Sequence, residues 1–299
     1  MFPPAATTIH TALAYGRSLL SPTSPTPELD ARLLLEHTLD VSHSYLIAHG
    51  DEALTAVQIR QYHAYLQRAA AKEPIPYIVG HAPFFGLDFR VTPAVLIPRP
   101  ETEQLVDIAL AWANGRGPIS IADVGAGSGC IPITLARHLP HAAVQATDIS
   151  ADALTIARQN ADRLAPGRIT FHQGNLLEPI PTPLHLITAN LPYVTSGEWT
   201  MLDDGVKLYE PQVALLGGQD GLDLITQLLE QATDKLIPGG MMILEIGWRQ
   251  GTAAQALAQA SFPAAEVAVE TDFAGHDRFV VIHTPAAMGE TNWRLEIGE

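Results

Sequence analysis

The stretch Asp123-Val124-Gly125-Ala126-Gly127-Ser128-Gly129 constrains this chain more than any other. It follows an apolar run at 119–124 and precedes a helical pattern that starts at Ile131. Three glycines in five positions let the backbone turn sharply and let another molecule approach the main chain. A loop of this kind joins strand to helix, and the sequence downstream continues that alternation. Strands are expected at 119–124, 144–147, 169–172, 184–189, 241–246, 267–269 and 279–283. Helices are expected from 131 and over 151–164, 222–236 and 253–260. Such alternation implies a mainly parallel sheet with helices on both faces. The 271–277 connection is too short for a helical crossover, so the last two strands should pair antiparallel.

Residues 1–74 read as helices instead. Ile9, Leu13, Leu19 and Leu20 fall on one stripe, and the Pro-rich 21–27 stretch breaks it. Thr26-Pro27 starts a second helix, since proline lacks only an N–H that a first turn leaves unused. Leu29, Leu33 and Leu34 carry it toward Leu39. Ser42 caps a short helix ending near Gly50, and Val57, Ile59, Tyr62 and Leu66 mark a longer one between Glu52 and Lys72. Prolines at 74, 76, 83, 93, 98 and 100 then forbid a long helix. Phe84 to Phe89, around Gly86, reads as a hairpin. Helix resumes at Glu103 to Ala113. The expected divisions are a helical domain at 1–74, a hairpin linker at 75–100, a sheet domain at 101–285 and a tail at 286–299.

Composition excludes several classes. Acids outnumber bases 32 to 17, a net charge of -15, and no window is rich in Lys or Arg. Direct nucleic-acid binding by phosphate neutralisation is therefore not expected. The single cysteine, Cys130, forbids an internal disulfide framework or a cysteine-cluster metal site. The 12 histidines form no H-E-x-x-H, so no metal is expected. Met1-Phe2-Pro3-Pro4 lacks the basic region of a signal peptide, and no window reaches the ~18 apolar residues of a membrane span. A cytoplasmic protein is expected. Ser128 lacks the G-x-S-x-G setting of a nucleophile. Glu245, inside an apolar strand, reads as a paired structural acid rather than a catalytic one.

The glycine loop is G-x-G-x-G, not G-x-G-x-x-G. A dinucleotide needs a helix N-terminus aimed at its pyrophosphate. S-adenosylmethionine has no phosphate, and its loop characteristically reads G-x-G-x-G; a glycine turn with no ligand is the alternative. Asp148 ends the second strand about 20 residues later, where an acid can bind ribose hydroxyls. It could equally cap the next helix together with Ser150. Asn190-Leu191-Pro192-Tyr193 follows the fourth strand, at the carboxyl edge where open α/β sheets bind ligands. A plain turn also favours Asn and Pro, yet does not account for the aromatic that follows.

N-x-P-Y after the fourth strand with G-x-G-x-G after the first resembles the amino- and amide-methyltransferases that modify a planar nitrogen. Pro76-Tyr77-Ile78-Val79-Gly80, with Phe84-Phe85-Gly86-Leu87, resembles the linker of the release-factor glutamine methyltransferases. Leu96-Ile97-Pro98-Arg99-Pro100-Glu101-Thr102-Glu103 resembles that family's most distinctive stretch. Glu210-Pro211, Gly217-Gly218-Gln219-Asp220-Gly221-Leu222 and Gly275-His276-Asp277-Arg278 match its late segments. The match runs from about Pro74 to His283 and is weaker in the helical N-terminus. The family usually has proline where this chain has Leu191, a position that needs only its carbonyl. Many members carry an acid where Asn175 stands.

The resemblance implies an α/β fold: a seven-stranded Rossmann-like methyltransferase sheet with an N-terminal helical bundle that recognises a protein substrate. It implies S-adenosyl-L-methionine as cofactor and S-adenosyl-L-homocysteine as product. Cofactor contacts would come from Gly125, Ala126, Gly127, Ser128, Gly129, Asp148, Asn175, Leu176 and Asn190. Asn190 and Tyr193 would be catalytic, and Asn190, Leu191, Pro192 and Tyr193 would hold the substrate. The acceptor would be the side-chain nitrogen (N5) of the glutamine in the Gly-Gly-Gln motif of peptide chain release factors, with no membrane partner. The chemistry is demanding, because amide resonance delocalises the lone pair. The Asn190 side-chain oxygen and the Leu191 carbonyl can accept the two N–H bonds and favour a nitrogen becoming tetrahedral and positive. Tyr193 can lay a π face beside the acceptor. The rival readings are an adenine-N6 or other amino methyltransferase acting on nucleic acid, and a non-catalytic S-adenosylmethionine-binding adaptor. The acidic charge opposes the first and the intact Asn190–Tyr193 loop the second.

Overall fold

The computed structural model describes residues 7–181 and 183–286. The expected tail, past Ala286, and the Met1–Pro4 start lie outside the described residues. The chain divides into two compact units. One comprises the described residues up to His81, with Val91–Pro93 and Leu202–Glu210; the other comprises Ala82–Arg90, Ala94–Met201 and the described residues from Pro211 on.

The first unit is helical: α1 (Ile9–Leu20), α2 (Pro27–Leu39), α3 (His43–Ala48), α4 (Ala56–Ala70) and α5 (Ile75–Val79). Its starts are written in the sequence. Thr8 with Thr11 and Thr55 with Gln58 form capping boxes, Ser42 caps α3, and Pro27 opens α2. The buried stripe of α1 is Ile9, Ala12, Gly16 and Leu20, whereas Leu13 and Leu19 are half-buried. Gly16 is required there: a Cβ would stand 2.9 Å from Ala31 Cβ and collide with the Tyr62 hydroxyl. Leu29 and Val57 face out, at 41% and 62% exposure. Small residues let the helices approach closely, and that approach, not apolar character alone, chooses the inner face.

A hairpin follows, β1 (His81–Phe84) and β2 (Leu87–Arg90), joined by Phe85 and Gly86 at φ 50° and 70°. Two left-handed central residues make the tight turn that suits strand twist. Next come α6 (Pro100–Ala113), β3 (Ser120–Val124), α7 (Cys130–His138), β4 (Ala143–Asp148), α8 (Ala151–Leu164), β5 (Ile169–Gln173) and β6 (Leu184–Asn190). After them lie α9 (Ser196–Trp199), α10 (Asp204–Tyr209), α11 (Asp223–Ala232), β7 (Leu236–Glu245), α12 (Gly251–Ser261), β8 (Glu266–Thr271) and β9 (Asp277–His283).

The seven long-range strands run in the order β5-β4-β3-β6-β7-β9-β8. The first five are mutually parallel, and β9 is antiparallel to both β7 and β8. The expected α/β sheet with its closing antiparallel pair is thus the observed one. One apolar core lies between the sheet and α11 and α12; a second lies on the other face against α6 and α7. One boundary differs. The helix expected to reach 236 ends at Ala232, and β7 begins at Leu236 rather than at 241. Pro238-Gly239-Gly240 reads as a turn, but Leu236 pairs with Leu184 and the ladder resumes at Met241 after a shift in register. α10 belongs by packing to the helical unit. Lys72 Nζ reaches Asp204 at 2.6 Å, and the Tyr209 hydroxyl donates to the Ala71 carbonyl at 3.1 Å. Among the described residues no helix is long and apolar enough to cross a membrane.

Candidate active site

β3 is flanked by β4 on one side and by β6 on the other, so the winding reverses between β3 and β6. At such a switch point the loops at the strands' carboxyl ends part and leave a crevice. Here the crevice is a cavity lined by Gly125–Ser128 after β3, Asp148 at the end of β4, Asn175 and Leu176 beyond β5, and Asn190–Pro192 beyond β6. Leu96 to Arg99 and Thr102, ahead of and within the first turn of α6, line another side.

The glycine loop is held by backbone bonds. Gly125 and Ala126 N–H both donate to the Thr147 carbonyl, and Gly125, Gly127 and Gly129 take φ of 79°, 54° and 83°. A Cβ at Gly127 would meet only the Gly125 carbonyl oxygen, at 3.9 Å, an ordinary contact. A Cβ at Gly129 would stand 2.8 Å from Ile133 Cδ1 and 3.3 Å from Ala157 Cβ. Gly129 is not among the lining residues; it lets α7 pack on α8. Gly125 packs against the Leu191 side chain.

Asp148 accepts from Gly127 N and from Ser150 N, both at 2.8 Å. Capping of α8 falls to Ser150, whose Oγ accepts from Ala153 N. Burial raises the Asp148 carboxyl above the usual range, and the backbone N–H groups of Ser150, Gly127 and Ile149 pull it back. Asn175 braces its own turn through Glu178 Oε1 at 2.9 Å. Leu176 adopts φ 49°, an uncommon conformation for a branched side chain.

Asn190 Nδ2 donates to Thr102 Oγ1 at 3.2 Å, and Thr102 Oγ1 donates to Glu245 Oε2 at 2.7 Å. Tyr193 is not among the lining residues. It packs against Gly247, and its carbonyl accepts from Gln250 Nε2 at 3.0 Å. Burial pushes its hydroxyl up to about 12, with Glu245 adding to the rise.

Three participants carry no signal of their own in the sequence. Asp123, fully buried at the end of β3, accepts from Thr188 Oγ1 at 2.8 Å, while its Oδ2 has no partner among the described residues. Burial pushes this carboxyl up to about 7. Asn160 of α8 donates to the Ser128 and Arg90 carbonyls, each at 2.9 Å, and accepts from Arg90 N at 2.8 Å. Thr102 stands inside a stretch quoted for its resemblance, but only the fold brings it to Asn190.

The family described as the PrmC N-terminal domain matches residues 11–80, and the one described as the methyltransferase small domain matches 113–206. A release factor glutamine methyltransferase of Koribacter versatilis is 41% identical over 227 residues, 75% of this chain and 81% of that relative. One from Moorella thermoacetica is 41% identical over 254 residues, covering 84% and 89%. A solved methyltransferase structure from Pyrococcus furiosus superposes with a TM-score of 0.50 at 18% identity, over 76% of this chain and 98% of that one, a likeness of fold. With a glycine loop and an Asn-Leu-Pro-Tyr turn at one switch point, and curated relatives this similar over most of their length, the chain belongs to the release factor glutamine methyltransferase family.

Proposed function

We propose that this enzyme transfers the methyl group of S-adenosyl-L-methionine to the side-chain amide nitrogen (N5) of the glutamine in the Gly-Gly-Gln motif of peptide chain release factors. The observation that carries the reading is that Asn190 and Leu191 line the same cavity as the glycine loop and Asp148. Acceptor and donor sites are then contiguous, as transfer between two bound molecules demands. The residues suit the cofactor. Asp148 keeps lone pairs for two ribose hydroxyls beyond its two backbone bonds. Gly127 leaves room where a side chain would intrude. Asn175 and Leu176 serve the adenine side.

Bound S-adenosyl-L-methionine supplies an electrophilic methyl on a sulfonium and leaves as S-adenosyl-L-homocysteine. Asn190 Oδ1 and the Leu191 carbonyl accept the two N–H bonds of the glutamine amide and turn its lone pair toward that methyl. As the nitrogen–carbon bond forms, these acceptors stabilise the positive charge growing on nitrogen; the surplus proton leaves to water afterwards. Pro192 and Tyr193 wall the acceptor side, Tyr193 standing near Glu245 rather than in the cofactor cavity. The helical unit recognises the release factor, and the cytoplasm is where that substrate works. The test is mass spectrometry of a purified release factor after incubation with enzyme and labelled cofactor. One methyl on the Gly-Gly-Gln glutamine is the expected result. An unlabelled release factor beside active enzyme, or label on nucleic acid alone, overturns the reading.

A further inference from the structure

The hydrogen bonds from Asn190 to Thr102 and from Thr102 to Glu245 join β6, α6 and β7 into one chain of three side chains. Asn190 and Glu245 are register partners on neighbouring parallel strands, so they leave the sheet on the same face. Thr102 and Glu245 are each 2% exposed, so water does not serve them in place of each other. A hydroxyl has one proton and an ionised carboxylate only accepts. With the Thr102 proton committed to Glu245, its lone pairs are all that Asn190 meets. Asn190 therefore turns its NH2 toward Thr102, and Oδ1 remains as the acceptor in the cavity. The reversed amide would offer N–H to a glutamine N–H, donor against donor.

We propose that Thr102 and Glu245 are positioning residues for methyl transfer, fixing which end of the Asn190 amide faces the acceptor nitrogen. This rests on the reading that Asn190 Oδ1 receives an N–H of the glutamine amide. It also explains a charged residue in an otherwise apolar strand.

The chain of bonds responds to pH through Glu245. The groups acting on it are Thr102 and Glu101 of α6, Arg99 just ahead of α6, Arg278 of β9 and, beyond β6, Tyr193. Burial pushes the Glu245 carboxyl up to about 7; the Thr102 bond, Arg278 and Arg99 pull it back, and Glu101 pushes it up. A protonated Glu245 can donate to Thr102. The hydroxyl proton is then free to point at Asn190, and the amide can turn over. Transfer therefore slows as pH falls through about 7.

The experiment is single-turnover methylation of a purified release factor by the full chain at saturating cofactor, with cofactor affinity measured calorimetrically. Thr102→Val should slow transfer roughly tenfold to a hundredfold, up to the scale of a small misplacement of a reacting group. Saturating cofactor sets aside any change in its affinity, release-factor KM should hold, and Thr102→Ser should restore most of the rate. Glu245→Gln, which does not titrate, should lose the acid limb of the wild-type profile. A wild-type rate in Thr102→Val, a Thr102→Ser as slow as Thr102→Val, or an acid limb that survives Glu245→Gln overturns the proposal. Should Thr102→Val melt out, the Glu245→Gln profile decides alone. Asn190→Ala separates the two readings. If it reacts as fast as wild type, the acceptor role of Asn190 itself falls; if it is slow while Thr102→Val is fast, only the positioning role falls.

Discussion

Asp148 carries two backbone bonds before any ligand arrives, one of them to the loop that would cradle the cofactor. Its loss should therefore act twice, removing a ribose acceptor and releasing Gly127. Asp148→Ala should weaken cofactor binding by roughly 1.5–3 kcal/mol, about tenfold to a hundredfold by calorimetry; unchanged affinity would leave the residue a loop brace only. Asp123 works in the opposite sense. Unfolded, it titrates near 3.8; folded, near 7. Between those values the folded chain holds a proton that the unfolded chain has released. Its contribution to stability therefore falls as pH rises from about 4 to about 7 and is level above. Asp123→Asn removes that loss, so in urea unfolding of the ligand-free protein the variant should gain on wild type by on the order of 3 kcal/mol between about pH 4 and about pH 8. A stability difference that stays constant across that range would show that the buried carboxyl does not titrate there.

At the scale of elements, α8 acts on the site through one residue. Asn160 spans the Ser128 carbonyl of the glycine loop and both backbone groups of Arg90 at the end of β2, and is fully buried. Asn160→Ala leaves three backbone groups without this partner, the Ser128 carbonyl buried and the two of Arg90 part-buried. At about 1–3 kcal/mol for the buried carbonyl and less for the two groups that water can reach, a loss of roughly 2–5 kcal/mol is expected, with a lower melting temperature and weaker cofactor binding. A variant that melts like wild type would mean that water replaces all three bonds. Asn160 is invisible in the sequence because it lies on a helix among Ala and Arg residues, and its partners are 32 and 70 residues away. Gly125, Asp148 and Asn190 were legible because each ends a strand or directly follows one, and strand ends can be read from apolar runs. Gly129 has the same sequence signal as Gly127, yet its Cβ position crowds Ile133 and Ala157 where that of Gly127 makes only an ordinary contact with the Gly125 carbonyl. Glycine spacing marks a turn, and only packing tells which glycine faces a ligand. The β7 start departs from expectation for the converse reason: Pro238-Gly239-Gly240 carries a turn's composition inside a strand that pairs with β6 on both sides of it.

At the scale of the whole molecule, the sheet order and the meeting of three strand-end motifs follow from alternation and winding rules. The membership of Leu202–Glu210 in the helical unit does not, since both flanks of that segment belong to the sheet unit. Nothing local in Asp203-Asp204 foretells that Lys72 pairs with it across 132 positions. Net charge, in contrast, is read directly from composition, and it bears on whether the acceptor is a protein or a nucleic acid. At -15, with 17 basic residues dispersed against 32 acids, the chain repels a polyphosphate at long range. A nucleic-acid enzyme gains much of its affinity by releasing counterions from phosphates, and that gain grows steeply as salt falls. This chain should show no such gain. In methylation of a purified release factor, excess ribosomal RNA or duplex DNA should neither accept label nor slow the reaction, even at ~50 mM salt, where phosphate contacts are strongest. Prior nuclease treatment of enzyme and substrate should leave the rate unchanged. Inhibition by nucleic acid that vanishes as salt is raised would reveal a basic surface that composition hides, and would return an adenine acceptor to consideration. A rate indifferent to nucleic acid and dependent on release-factor concentration is the outcome that the charge and the Asn190 site together require.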